Sequence, residues 1–367
     1  MRQIAEAVNG DLLSGDPEDA VISVSTDSRK VLAGEVFFPL IGENHDAHDF
    51  ISQALDRGCR AVVLSRIPEK QLFQRGNTGF ILVEDTAKAL QKLAAYYLSL
   101  FSIKKIGVTG STGKTTTKEM LYRIFSEKYK TARNLGNFNN HIGLPLTVLS
   151  LPEDTEVGIF EMGMSELGEI DLLADLVRPD IGVITNIGIS HIENLGSREN
   201  ILKAKLEITN YFDQDSILII NEDSDLLSKD AISGSYRVIS VGETGRSDFI
   251  LSNIKDFGEE GIEFAIEYRE EMQNFRLNVP GRHNAYNAAL AAAAGISCGI
   301  SMKEAAEGLL KLEITDKRLN IKGKNGMKII DDTYNASPDS MKAAIDVLVA
   351  TKGFRKIAVL ADMYELG

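Results

Sequence analysis

The stretch Ile106 to Thr117 reads IGVTGSTGKTTT. An apolar run ends in a glycine-rich turn and passes directly into KTTTKEMLYRIFSEKY, whose apolar residues recur at helical spacing. Strand, tight turn and helix in that order can hold a phosphate. Glycines at 110 and 113 let the backbone turn sharply, and the amides at the positive end of the helix point at anionic oxygens. Lys114 would reach terminal phosphates, and the Thr115 hydroxyl suits Mg2+. The long form of this motif, G-x-x-x-x-G-K-[ST], would need a glycine where Val108 stands. What remains is the shorter Gly110-x-x-Gly113-Lys114-Thr115, which predicts a bound nucleotide without saying what its phosphate is used for.

Outward from the loop, the β-type runs VGIFEMG, IGVITNIG and SILIINED alternate with the helical stretches LGEIDLLADLV and RENILKAKLEITNYF. That alternation predicts an α/β fold with a mostly parallel sheet covered on both faces. Short strands with polar turns over residues 235–280 predict an antiparallel extension, and the alanine-rich NAYNAALAAAAGISCG a buried helix that closes the domain. Residues 1–100 mix short β-type runs with helical patterns, as a small N-terminal α/β domain would. A third unit opens near Ile314 with strand MKIIDDTYN, helix PDSMKAAIDVLVAT and strand RKIAVLADM. The expected domains are therefore 1–100, 101–313 and 314–367. The last holds too little for an independent α/β domain, so a truncated C-terminal domain is expected.

At 367 residues the chain exceeds what one hydrophobic core usually serves, consistent with two or three domains. A formal charge of -13 argues against a non-specific grip on nucleic acid or an anionic membrane, either of which needs a net basic face. No apolar run approaches the ~20 residues of a membrane span, and Met1 to Gly10 has no signal-peptide layout. A cytoplasmic location is expected. Cys59 and Cys298 stand far apart and outside metal-ligand spacing, which predicts buried free thiols.

Glu161 ends a hydrophobic strand, where parallel sheets gather their ligands; it is a Mg2+ ligand candidate or a solvated strand-end acid. Thr185, Asn186 and His191 follow the next strand in the same way. Lys205 lies on a helical pattern and by composition reads as a solvated lysine. Asn284 and Asn287, three apart at the start of the alanine-rich helix, share a face and could read a purine edge or cap the helix. In the N-terminal domain, Ser28 and Arg29 are apt donors to a diphosphate.

Together these stretches resemble the ATP-dependent Mur ligases of bacterial peptidoglycan synthesis. The resemblance covers essentially the whole chain, and TGSTGKTTT matches that family's nucleotide loop, short glycine spacing included. NLGNFNNHIGLPLTVL, EMGMSELGEI, ITNIGISHIENLGS, GRHNAYNAALAAA, DDTYNASPDSM and LADMYELG resemble the branch that joins D-alanyl-D-alanine to UDP-N-acetylmuramoyl-tripeptide. The resemblance implies a three-domain architecture whose C-terminal domain is Rossmann-like. It implies that Gly110, Ser111, Thr112, Gly113, Lys114, Thr115 and Thr116 hold ATP, with Asn284 and Asn287 at adenine and Arg318 and Asp332 reaching in from the third domain. Thr115 and Glu161 would hold one Mg2+, His191 a second, and Lys205 would be carbamylated by CO2 and join the metal site. Ser28, Arg29 and His48 would form the UDP-sugar site, and Asn137, Asn139, Asn140, Thr185 and Asn186 would line the path of the muramyl-peptide. Lys114, Lys205 and His191 would be catalytic. The implied reaction activates the tripeptide carboxylate as an acyl phosphate, which the dipeptide amine then attacks. A monomer with no nucleic-acid partner is expected. The alternatives are the related ligase that adds the third amino acid, a P-loop regulatory switch, and a silent fragment that binds nucleotide and UDP-sugar.

Overall fold

The computed structural model describes residues 1–67, 70–74, 78–313, 317–324 and 326–366. Ile314 and Gly367, the expected ends of the third domain, lie outside the described residues. The chain divides into two compact units, residues 1–102 with 135–153, and residues 103–134 with 154–367.

The first unit is built on five strands: β1 (Asp11–Ser14), β2 (Val24–Ser25), β3 (Val36–Phe37), β4 (Ala61–Leu64) and β5 (Gly79–Leu82). Their order is β1-β5-β4-β3-β2, parallel except for β1 against β5. Successive side chains of a strand point to opposite faces. Val36, Val63 and Ile81 accordingly share one core with helices Arg2–Val8 and Thr86–Ser99, while Phe37, Val62, Leu64 and Phe80 share another with Ile51–Asp56. Asp85 caps the helix Thr86–Ser99, accepting from the amides of Ala87 and Lys88 at 2.8 and 3.0 Å. The helix Gly143–Leu149 also belongs here, with Ile142, Leu146 and Leu149 packed on the first of these cores. The segment lies within the stretch 101–313 expected as the central domain.

The second unit carries β6 (Lys104–Thr109), β7 (Thr131–Arg133), β8 (Val157–Glu161), β9 (Ile181–Ile184), β10 (Ile217–Asn221), β11 (Arg237–Gly242), β12 (Phe249–Asp256), β13 (Ile262–Tyr268) and β14 (Glu271–Leu277). The order is β14-β13-β12-β11-β10-β9-β6-β8-β7. Pairing is parallel from β12 to β7 and antiparallel through β12, β13 and β14. YRVISVGE, expected in the antiparallel extension, is instead a parallel strand, because β11 aligns in register along β10. The alanine-rich helix His283–Ser297 is buried from Asn284 to Gly295 apart from Tyr286. Small residues let it lie close against the helix Lys114–Phe125, where a Cβ at Gly295 would stand 2.7 Å from Ile124.

Beyond Leu319 the chain forms a hairpin, β15 (Asn320–Lys324) with β16 (Met327–Asp331), and the helix Pro338–Ala350 capped by Ser337. The strand expected over 355–363 does not form. Among the described residues no strand pairs with it, and Ile357, Val359 and Leu360 are exposed. Cys59 is buried as expected, Cys298 only half-buried, and both thiols are free.

Candidate active site

The strand order places β6 between β9 and β8, so the turns that leave these three strands converge at their carboxyl ends, where open α/β sheets bind ligands. The turn after β6 is the glycine loop. Gly110 has φ +151° and Gly113 φ +80°, the latter a left-handed conformation at the helix N-terminus. A Cβ on Gly110 would strike the Thr185 hydroxyl, and one on Gly113 would stand 2.6 Å from the Asn287 amide oxygen. The Lys114 ammonium donates to the loop's own Gly110 carbonyl at 2.8 Å. Burial pushes it below the usual lysine range, Glu161 works against that shift, and Arg318 adds to it.

The turn after β9 is stapled to this loop. The amides of Ser111 and Thr112 donate to the Asn186 carbonyl and side-chain oxygens at 3.1 and 2.9 Å. Asn186 Nδ2 donates to the Thr112 hydroxyl at 2.7 Å, and the Gly188 amide to the Ser111 hydroxyl at 2.9 Å. Thr185 donates to the Thr112 carbonyl. Thr185 and Asn186, which the resemblance set along the muramyl-peptide path, are therefore engaged in holding the phosphate loop.

Glu161 ends β8 and is 2 % exposed. The buried Asn134 side chain brackets its backbone, accepting from the Glu161 amide at 2.9 Å and donating to its carbonyl at 3.2 Å. Its carboxylate lies 3.5 Å from the ammonium of Lys118, a residue with 1 % of its side chain exposed. Lys118 stands one helical turn beyond Lys114 and escaped sequence reading, because a lysine on a helix ordinarily reads as solvated. A missed aspartate is Asp339, on the helix Pro338–Ala350, whose carboxylate would meet a Cβ on Gly188.

Lys205 is fully buried, against its composition-only reading as a solvated lysine. Among the described residues no carboxylate pairs with it. Burial pushes its pKa well below the ordinary lysine value, and Lys114 adds to the shift. His191 sits in a left-handed conformation at φ 63°, with Nδ1 2.5 Å from a Glu365 carboxylate oxygen. Burial lowers its pKa, Glu365 opposes this, and Lys114 and Lys205 reinforce it.

Asn284 Nδ2 donates to the Pro280 carbonyl at 2.7 Å, and Asn287 Nδ2 to the Asn284 side chain at 3.1 Å. Asn287 thus faces the loop at Gly113. Arg318 lies over the Tyr334 ring, its guanidinium carbon 4.1 Å from the centroid, and Asp332 accepts from the Leu319 amide at 3.1 Å. Thr115 is buried and Thr116 half-buried in the first turn of the loop helix.

In the first unit Ser28 is buried and donates to Gln53 Oε1 at 2.7 Å. Arg29 is exposed and forks onto Asp27, both bonds 2.9 Å. His48 is buried with both ring nitrogens engaged: Nε2 accepts from the Ser65 amide at 3.0 Å, so Nδ1 carries the proton facing Asp46 at 2.6 Å. That leaves its ring no open nitrogen for a ligand. Just ahead of the helix Gly143–Leu149, Asn140 accepts from the amides of Ile142 and Gly143 at 3.2 and 2.8 Å. Asn137 is exposed and Asn139 half-buried.

Known families match along the chain: a Mur ligase family catalytic domain over 21–98, the Mur ligase middle domain over 108–295, and a Mur ligase glutamate ligase domain over 317–367. UDP-N-acetylmuramoyl-tripeptide--D-alanyl-D-alanine ligase of Bacillus subtilis is 46% identical over 371 aligned residues, which cover 100% of this chain and 79% of that protein. The crystal structure of MurF from Acinetobacter baumannii superposes with a TM-score of 0.93 at 33% identity, covering 100% of this chain and 79% of that one. MurF ligase from Thermotoga maritima in complex with ADP superposes with a TM-score of 0.85 at 32% identity, covering 94% and 78%.

Proposed function

The chain belongs to the Mur ligase family, and from that premise we propose that it joins D-alanyl-D-alanine to UDP-N-acetylmuramoyl-tripeptide at the expense of ATP. The observation that carries this reading is similarity to the dipeptide-adding ligases along the whole of this chain and 79% of the Bacillus subtilis protein, together with a glycine loop, a buried acid and a buried lysine at the carboxyl end of one sheet. Identity of 46% to the Bacillus subtilis ligase favours this member over the one that adds the third amino acid.

The tripeptide carboxylate attacks the γ-phosphorus of ATP; the bond to ADP breaks and an acyl phosphate forms. The dipeptide amine then attacks the activated carbonyl, phosphate departs with the bonding pair, and the amine gives up a proton. Like charges oppose the first step, so positive groups must face the transferring phosphoryl. Lys114, half-buried at the loop, supplies one. Amides at the start of the helix Lys114–Phe125 supply more, and the staple from Thr185 and Asn186 keeps them aimed.

Mg2+ is the expected cofactor, and the donor set suits it: the Thr115 hydroxyl and Glu161 carboxylate are hard oxygens, both buried beside the loop. Bound there, the ion would neutralise phosphate charge. His191 would belong to a second site. Lys205 supports carbamylation through its chemistry. A buried amine with a depressed pKa gives up its proton more readily, and the neutral amine adds CO2 to give a carbamate and one proton. The anionic product would face Lys114. Asn287 at the loop, with Asn284 behind it, is read as the adenine side of the pocket, and Arg318 with Asp332 as its cover. Ser28, Arg29 and the Asn137 to Asn140 loop are the candidate contacts to the UDP-sugar substrate, with His48 holding their framework. Among the described residues no helix is long and apolar enough to cross a membrane.

The test is phosphate release from ATP, Mg2+, UDP-N-acetylmuramoyl-tripeptide and D-alanyl-D-alanine, with each component omitted in turn. Release should require all four. Release that ignores the dipeptide would overturn the assignment.

A further inference from the structure

Lys118 is a buried charge that the reaction above does not use. It lies on the loop helix with its ammonium 3.5 Å from Glu161 Oε2 and 3.5 Å from Glu119 Oε1. Glu119 in turn pairs with Arg133 at 2.8 Å, and the Arg133 guanidinium carbon rests 3.5 Å from the centroid of the Tyr122 ring. The row Arg133, Glu119, Lys118, Glu161 alternates in sign and sums to zero. Lys114 adds a positive group whose field also reaches Glu161. The acid expected to hold a cation is thus already neutralised by protein charges alone. A divalent ion arriving by itself would meet ammonium groups that Glu161 cannot offset, and hard cations keep their water unless anionic oxygens replace it. The phosphates of a nucleotide on the loop reverse that balance.

We infer that Lys118 is the internal counterion of Glu161, so that a divalent cation enters this site together with a nucleotide and not ahead of it. This rests on reading Glu161 as a metal ligand, and the test separates the two claims. Mn2+, a hard cation visible by electron paramagnetic resonance, is titrated into the 367-residue chain with and without a non-hydrolysable ATP analogue. Without nucleotide, wild type should show no site that Glu161→Gln removes. With the analogue, such a site should appear. Lys118→Met should gain a nucleotide-independent site, tightening Mn2+ by roughly tenfold or more, a usual size for coupling between two sites. Lys118→Met/Glu161→Gln should lose it, and Lys118→Arg should behave as wild type. A Glu161-dependent site in nucleotide-free wild type would overturn the inference, as would a folded Lys118→Met protein with no gain. Should Lys118→Met fail to fold, the comparison of wild type with Glu161→Gln still decides. If Glu161→Gln changes nothing even with the analogue, the metal-ligand reading of Glu161 fails first and takes the inference with it.

Discussion

Lys205 is a buried amine with no carboxylate paired to it among the described residues, and the proposed carbamylation rests on that isolation. An ion-paired lysine would stay an ammonium, which repels cations and does not add CO2. Replacing it by alanine should abolish ligation, and short carboxylates such as acetate should partly restore it by supplying the missing anion. Carbon-13 nuclear magnetic resonance on protein equilibrated with labelled CO2 should show a carbamate that Lys205→Ala lacks; an active Lys205→Ala enzyme would refute the assignment. Gly113 makes a second prediction. At φ +80°, with Asn287 filling the place of a Cβ, Gly113→Ala combines backbone strain with a clash. We expect ATP-analogue affinity to fall by about 1–3 kcal/mol, the usual cost of a non-glycine residue in such a conformation, read by fluorescence titration. Both residues were legible in the sequence, but for different reasons. The glycine announces itself by its spacing, whereas Lys205 stood out only through family resemblance, since nothing in its neighbours reports burial.

Among the elements, β11 shows where periodicity stops informing. Its alternation is the same whether its neighbour runs parallel or antiparallel, so YRVISVGE read as part of the antiparallel extension. The pairing is parallel along β10, and the next strand is tied on by Asp248. That carboxylate accepts from the Ser240 amide of β11 at 2.9 Å and from Lys229 at 2.8 Å. Burial alone would raise its pKa, but Lys229 and the Ser240 amide outweigh burial and hold the carboxyl below the usual aspartate range. A depressed folded-state pKa gives stability that is present above the ordinary aspartate value and is lost as pH falls through the lower, folded one. Asp248→Asn should therefore cost on the order of 1 kcal/mol near pH 7, below the usual ~1.5–3 kcal/mol for hydrogen bonds to a charged group because solvent screens the partly exposed Lys229. The gap from wild type should close in acid, which urea unfolding at several pH values would show. A gap independent of pH would mean the charge contributes nothing.

Across the whole molecule, the first compact unit is discontinuous. Residues 135–153 leave the second sheet after β7, pack with residues 1–102, and return before β8. Leu146→Ala should accordingly speed amide exchange in β4 and β5 and leave β6 and β8 unchanged, although its sequence neighbours on both sides are strands of the second sheet. Exchange that quickened in β6 instead would contradict the division. What the sequence by itself determined is local: the phosphate loop, the strand faces, the buried alanine helix and the strand-end position of Glu161. Each follows from spacing within a few residues, which sets backbone conformation and side-chain direction. Only the tertiary structure decided which strands are neighbours, and so decided the rest. Thr185 and Asn186 hold the loop because β9 lies beside β6, Asn134 fixes Glu161 because β7 lies beside β8, and Lys118 is buried because its helix covers that edge. Contacts between residues tens of positions apart depend on how the sheet is ordered, and no local pattern of apolar and polar residues carries that order.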